Sequence, residues 1–446
     1  MNITVFEYFF IVLLLLFYIK KDNKLIVSLI FAYVVLKLIL VMQFFSVDFF
    51  SLSIWKTIFI FLLTLSFFFI LSLVKDKRSE IYFLICIVWL GSLLIIISSN
   101  LLVVYLGLEL QTFSLFILIA KNRFSIKSSE SGLKYFILGS ISSGFFLLSL
   151  TSLYGIFGSV DLNVLLSNNY FDYKFVSLFT ILTLSLFFKL SLFPLHFWVP
   201  DVYEGSSSEI VGLLSTIPKI SLLGLVLQLN ISLEMLLLSG VGSIIIGSLG
   251  ALNQNKLKRL IGYSGISHMG FVVLGLAIFS KIGLEISILY LFIYVINILG
   301  LIILLCSYSS NKNKFISDLA GLGLNNIFLG IVWSLIFLSI AGIPPLSGFL
   351  SKWWVILTII SYEYLFTSLV VIIFSAVAVG FYLRISKIIY FQPKSSFMVW
   401  SNILQSNKIS FNVYFLLGII FYFNLFLIIN SAPLNNLINF SLITVF

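Results

Sequence analysis

Phe187-Phe-Lys189-Leu-Ser-Leu-Phe-Pro194-Leu-His196-Phe-Trp-Val-Pro200-Asp201-Val-Tyr-Glu204-Gly205 is an apolar run that carries a lysine, meets a proline and then turns polar. The run begins at Phe175 and reaches Trp198, long enough to cross the hydrocarbon of a bilayer, which takes about 20 residues as a helix. Pro194 removes a backbone donor and blocks helix continuation. A broken helix at membrane depth is tolerated only beside protein or a water-filled cavity. Carbonyls freed by the break are expected near Lys189. The segment predicts a spanning helix broken at a site that handles ions.

The composition extends that reading to the whole chain. Of 446 residues, 61% are hydrophobic and 9% charged, with a mean hydropathy of +1.19. A soluble domain is about 45–50% apolar and roughly 25% charged, so a water-soluble enzyme, a disordered chain and a nucleic-acid binder are all excluded. The net charge of +10 reports topology before it reports a partner. Fourteen spans are predicted: Ile3–Ile19, Leu25–Phe45, Thr57–Val74, Ile81–Ser98, Leu101–Ala120, Leu133–Phe157, Phe175–Trp198, Ile210–Leu229, Leu233–Leu252, Leu260–Phe279, Leu284–Tyr308, Ile327–Trp354, Leu365–Ile389 and Phe411–Ile429. They lack strict alternation and are twice too long for barrel strands. Ile3–Ile19 is read as a retained span rather than a signal peptide, because no Lys or Arg precedes it and no cleavage pattern follows.

Charge supports the count. Loops after odd-numbered spans are assigned seventeen of the 26 Lys and Arg, those after even-numbered spans three, and six lie inside spans. The basic side is the cytoplasmic or matrix side, which puts both termini opposite. The longest polar linker, Phe391–Ser410, is too short for an extramembrane domain. Two cysteines, Cys86 and Cys306, and two histidines, His196 and His268, argue against iron–sulfur and zinc sites, which usually take four ligands. The thiols read as small buried apolar groups, and no nucleotide-binding glycine motif is present.

The six intramembrane cations are Lys37, Lys134, Lys189, Lys219, Lys352 and Arg384, and Glu109 is the acid deep inside a span. A charge at mid-bilayer costs about 2.5–3.5 kcal/mol by insertion scales, so such residues are functional candidates. Lys134 and Arg384 lie near basic-side ends and can snorkel; Lys37 has no evident partner. Glu109, in Leu106-Gly-Leu-Glu109-Leu, has no local partner at i±3 or i±4 and must be protonated or paired across helices. Lys219 follows Pro218 in mid-span, which reads as the same break device as Pro194. A further break comes at Ala341-Gly342-Ile-Pro344-Pro345-Leu-Ser-Gly348, followed by Lys352. Spans seven and twelve thus each combine a proline break with a lysine, five spans apart. That pattern points to two related, inverted five-helix bundles around a midplane ion path. The expected organisation is 1–98 for the first four spans, 81–229 and 233–389 for the two repeats, and 390–446 for a linker and the last span.

Lysines in line with one carboxylate suit proton movement. Burial disfavours a charged amine and a nearby carboxylate restores it, so moving the acid makes the amine hold or release a proton. Lifting one proton against a membrane potential costs about 2.3 kcal/mol for each 100 mV. The driver must be a partner subunit or a second ion gradient. His268, in Tyr263-Ser-Gly-Ile-Ser267-His268-Met-Gly, is a further candidate for bridging the half-sites. His196 reads as structural or gating. Asp201, Glu204 and Glu209 read as a polar loop for a subunit contact or proton entry.

At these residues the chain resembles a known family. The stretch Phe188–Gly205, the tenth-span stretch Lys256-Leu-Lys258-Arg-Leu-Ile-Gly-Tyr263-Ser-Gly-Ile-Ser267-His268, the break Gly342-Ile-Pro-Pro345-Leu-Ser-Gly-Phe-Leu-Ser-Lys352 and Gly107-Leu-Glu109-Leu are similar to signatures of the antiporter-like membrane subunits of NADH:ubiquinone oxidoreductase (respiratory complex I), in particular subunit 2. The resemblance implies a Glu109–Lys189 coupling pair, Lys219 as central relay and Lys352 as distal lysine near the exit. It implies no cofactor in this chain, since flavin, iron–sulfur clusters and quinone sit on partner subunits. The implied partners are other membrane-arm subunits, including sister antiporter-like ones, and membrane lipids. Nine Ala against 48 Phe suits an A+T-rich organellar genome, so the expected location is the mitochondrial inner membrane, with a bacterial plasma membrane as the alternative. The competing functions are an Mrp-type cation/proton antiporter and a non-pumping structural subunit.

Overall fold

The computed structural model describes residues 54–162 apart from 75, 77 and 123, residue 164, residues 173–307 apart from 230, and residues 315–392 and 411–442. The first two predicted spans and Lys37 lie outside the described residues. The described residues are mainly helical: α1 (Ile54–Leu73), α2 (Ser79–Ile97), α3 (Leu101–Ile119), α4 (Ile126–Phe157), α5 (Tyr173–Leu190), α6 (Trp198–Gly205), α7 (Ser208–Gln228), α8 (Leu233–Leu252), α9 (Leu257–Ala277), α10 (Lys281–Ser307), α11 (Leu322–Asn325), α12 (Ile327–Ala341), α13 (Ser347–Ser361), α14 (Leu365–Phe391), α15 (Phe411–Ile429) and α16 (Ala432–Leu442). Among the described residues, pairing of extended backbone is confined to the isolated bridges Asn100–Asp161 and Lys256–Phe315.

Nine of these helices are long and apolar enough to cross a membrane: α1–α4, α7–α10 and α14. They coincide with spans three to six, eight to eleven and thirteen. Span twelve is broken into α12 and α13, and span seven is helical only to Leu190, as α5; its predicted end, Trp198, is the first residue of α6. Span fourteen is α15, after which α16, unforeseen in the sequence, leaves at a bend of 85°.

Helix α4 begins at Ile126, seven residues before the predicted Leu133. Its 32 residues exceed what the hydrocarbon requires at about 1.5 Å per residue. The early turns are too polar to register as a span, yet they are helical. Lys134 is stabilised there by Glu130, one turn away at 2.7 Å. Lys56, assigned to a loop, sits in the first turn of α1, buried, with its ammonium 3.4 Å from the Ile97 carbonyl.

The chain forms two compact units. One contains α1–α5 and the part of α7 from Leu213 onward. Its helices α2 and α3 cross so closely that a Cβ on Gly107 would stand 2.9 Å from the Gly91 carbonyl oxygen. Only glycine permits that approach, and it seats the helix that carries Glu109. In the same unit, Gln111 donates to Ser221 at 3.1 Å, and Ser221 donates to the Pro218 carbonyl at 3.0 Å. Helix α7 runs on through Pro218, contrary to the break expected there. A proline is tolerated inside a helix that is packed within protein. The other unit contains α6, the start of α7 and α8–α16.

Candidate functional site

Both true breaks follow one rule. A proline has no N–H to give to the carbonyl four residues earlier, and its ring clashes there. Helix α5 ends at Leu190, four before Pro194, and Ser191 turns left-handed at φ 67°. Helix α12 ends at Ala341, four before Pro345, and Gly342 turns left-handed at φ 83°. The breaks lie earlier than the prolines themselves, because the lost hydrogen bond belongs to the preceding turn.

In the second unit, the carbonyl that Pro345 abandons finds a replacement donor. Lys352 on α13 donates from Nζ to the Ala341 oxygen at 2.7 Å. Its side chain is 7% exposed. A Cβ on Gly342 would stand 2.7 Å from Lys352 Cδ, so the glycine makes room for the lysine as well as the turn. The ammonium lies 5.6 Å from the centre of the Phe271 ring, within cation–π range. Phe271 stacks on Tyr290 at 5.6 Å. The Tyr290 hydroxyl is 2.7 Å from Nδ1 of buried His268, and Tyr294 packs on the same imidazole at 5.6 Å. His268 and Lys352 are thus brought into one cluster through two aromatic side chains.

In the first unit, Glu109 sits on α3, Lys189 one residue from the end of α5 and Lys219 on α7. The Glu109 carboxylate is close enough to act electrostatically on the Lys189 ammonium, but the two do not form a direct ion pair. Lys189 Nζ is buried with no hydrogen-bond partner among the described residues. Lys219 is 1% exposed. Glu109 does have local partners, contrary to expectation: Thr112, at i+3, donates to its carboxylate at 3.2 Å, and Tyr105, at i−4, faces it. They escape a search for opposite charges because they are neutral hydroxyls. The acid opens on a cavity of about 300 Å³ between α3 and α4, lined also by Tyr135, Ser140 and Ser143.

Other candidates have structural surroundings. His196 is buried between the rings of Phe193 and Phe197. Asp201 and Glu204 lie on helix α6 rather than in a loop. Glu204 pairs with Lys256 and, at 3.5 Å, with Arg259, which also reaches Asp201 at 3.5 Å. Lys258 donates to the Ser206 carbonyl at 2.6 Å. The basic start of α9 thereby clamps α6. Arg384 is exposed on α14. Cys86 and Cys306 are buried free thiols.

Residues 98–378 match the family described as NADH:quinone oxidoreductase/Mrp antiporter, TM. The NADH-ubiquinone oxidoreductase chain 2 of Metridium senile is 40% identical over 375 residues, covering 81% of this chain and 97% of that protein. The NADH-quinone oxidoreductase subunit N of Pelagibacter ubique is 36% identical, covering 74% of this chain and 72% of its own length. A chain of the respiratory complex I structure from Thermus thermophilus superposes with a TM-score of 0.86 at 25% identity, over 98% of this chain and 99% of that one. A chain of the Mrp complex from Dietzia shares the fold, with a TM-score of 0.78 at 17% identity over 88% and 83% of the two chains. The chain belongs to the antiporter-like membrane-subunit family of NADH:quinone oxidoreductase, alongside the chain 2 and subunit N proteins.

Proposed function

We propose that this chain translocates protons in the membrane arm of respiratory complex I, coupled to NADH:ubiquinone electron transfer in partner subunits. Glu109, Lys189, Lys219, His268 and Lys352 carry the proton, with 81–229 and 233–389 as the two repeated bundles. The observation that carries the reading is Lys189: an ammonium-bearing side chain, buried at a helix break, without a hydrogen-bond partner among the described residues and within electrostatic reach of the Glu109 carboxylate. A structural lysine would be expected to end on a carbonyl or a carboxylate, since a buried charge left unpaired is costly. Here the stabilisation of the charge rests on how near the Glu109 carboxylate stands. Approach of Glu109 holds the proton on Lys189, and withdrawal frees it for Lys219. The energy comes from redox chemistry on partners, which hold the flavin, iron–sulfur clusters and quinone. The proposed neighbours are other membrane-arm subunits, sister antiporter-like chains among them, and lipid. The proposed location is the mitochondrial inner membrane, with the basic loops in the matrix and both termini in the intermembrane space.

The test is Lys189→Ala in the intact complex, reconstituted in vesicles. NADH oxidation by an artificial acceptor at the redox arm should be unchanged. Proton uptake coupled to quinone reduction should be abolished or greatly reduced. Undiminished pumping in that variant overturns the reading.

A further inference from the structure

We infer that Tyr290 is a positioning residue for His268, setting which imidazole nitrogen holds a proton and holding the ring toward the Phe271–Lys352 side of its cluster. The inference rests on the proton-relay reading above and deepens it. Three observations carry it. The Tyr290 hydroxyl lies 2.7 Å from Nδ1. The Tyr290 ring is fixed by near-parallel stacking on Phe271, with 9° between the planes, and Phe271 in turn carries the Lys352 ammonium over its face. Tyr290 and His268 are both buried, at 2% and 6% exposure, so water does not set the tautomer by free exchange.

A hydroxyl suits this task because it both donates and accepts. While the imidazole is neutral, its one proton sits on Nδ1 and is donated to the Tyr290 hydroxyl oxygen, which leaves the Nε2 lone pair to take the next proton. A proton arriving at Nε2 gives the imidazolium, in which both nitrogens carry one, and Nδ1–H still donates to Tyr290. The proton that departs leaves from Nε2, so one enters, one leaves, and Tyr290 keeps its own. A carboxylate at this position would hold the imidazolium permanently, and a phenyl ring would leave Nδ1 without this partner. Tyr294 of α10 also packs on the imidazole at a tilt, and Tyr382 of α14 lies within electrostatic range of Tyr290 and Tyr294. The charged group of the cluster is Lys352 on α13.

The experiment compares Tyr290→Phe, His268→Ala and the double variant in the intact, vesicle-reconstituted complex. Tyr290→Phe keeps the ring and its stacking and removes only the hydroxyl. Its proton-translocation rate should fall roughly tenfold, the scale of one hydrogen bond to a charged group, and the pH profile of pumping should shift. The double variant should pump no worse than His268→Ala, since residues acting as one unit are not additive. Wild-type pumping with an unchanged pH profile in Tyr290→Phe overturns the inference. So does an additive loss in the double variant. If Tyr290→Phe does not assemble, 3-fluorotyrosine at position 290 retains ring and hydroxyl and alters only the acidity; an unmoved pH profile then overturns it. Lys189→Ala, measured alongside, separates the two levels. If that variant also pumps normally, the relay reading has failed; if it is inactive while Tyr290→Phe is normal, only the role of Tyr290 has failed.

Discussion

Lys352 has two jobs that substitution can separate. Its ammonium caps the Ala341 carbonyl and holds a charge in the aromatic cluster. Lys352→Gln retains a donor on a side chain only one atom shorter, so the thermal stability of the complex should change little. Lys352→Met leaves a buried carbonyl unsatisfied and should cost about 1–3 kcal/mol. Both should lose coupled pumping. Gly342→Ala is a purely structural counterpart. A side chain there must adopt φ 83° and push its Cβ to 2.7 Å from Lys352 Cδ, a strain of about 1–3 kcal/mol, visible as a lowered unfolding temperature of the assembled complex. At this scale the charged residues were legible, because an ion in an apolar run stands out against a high transfer cost. The hydroxyls of Tyr105, Thr112 and Tyr290 were not. A neutral hydroxyl inside a span is cheap, and only folding brings it to a particular carboxylate or imidazole.

Among elements, the clamp between α6 and the basic start of α9 rests on Glu204 and Asp201 with Lys256 and Arg259. Glu204→Gln should reduce stability by about 0.2–1 kcal/mol, the range for ion pairs with solvent access. Raising salt should narrow the difference between variant and parent. A second tie joins the α1–α2 connection to the end of α3, where Lys121 pairs with Asp76 and Arg78 lies at 3.6 Å. The hydrogen bond from Lys121, aided by both cations, holds the Asp76 carboxyl below its usual value. For a depressed acid, the stabilisation is present above the unfolded pKa of about 3.9 and is lost as pH falls through the folded value. Asp76→Asn should therefore flatten the acid limb of the stability profile by well under 1 kcal/mol, because Asp76 is 44% exposed and solvent screens it. Span existence was legible from apolar length alone. Break positions were legible only to within one turn, since a proline acts on the carbonyl four residues before it. Pro218 differs from Pro194 and Pro345 in lying inside a helix that runs on, a tolerance set by the protein packed around the segment and not by the segment itself.

For the whole molecule, the uneven distribution of Lys and Arg makes a topological prediction. Lys127 and Lys281 belong to opposite sides of the membrane in the proposed arrangement. A single Cys placed at either position, in otherwise cysteine-free protein, should react with an impermeant maleimide from one side only, and from different sides. Labelling of both from the same face would contradict the topology. Spans three to fourteen of that count each fall on a described helix or, for span twelve, a pair of helices; the first two lie outside the described residues.

Composition and apolar run length by themselves determined that this is an all-helical membrane chain. Pro194 and the Pro344-Pro345 pair marked where two helices fail, whereas Pro218, beside Lys219, did not. These properties belong to local sequence, because transfer cost and backbone hydrogen-bonding capacity are paid residue by residue. Which carbonyl Lys352 takes, which imidazole Tyr290 meets and how α6 is clamped to α9 were decided only in three dimensions. Each depends on groups between 11 and 58 residues apart brought together by packing, and no pattern in one segment records its distant partner.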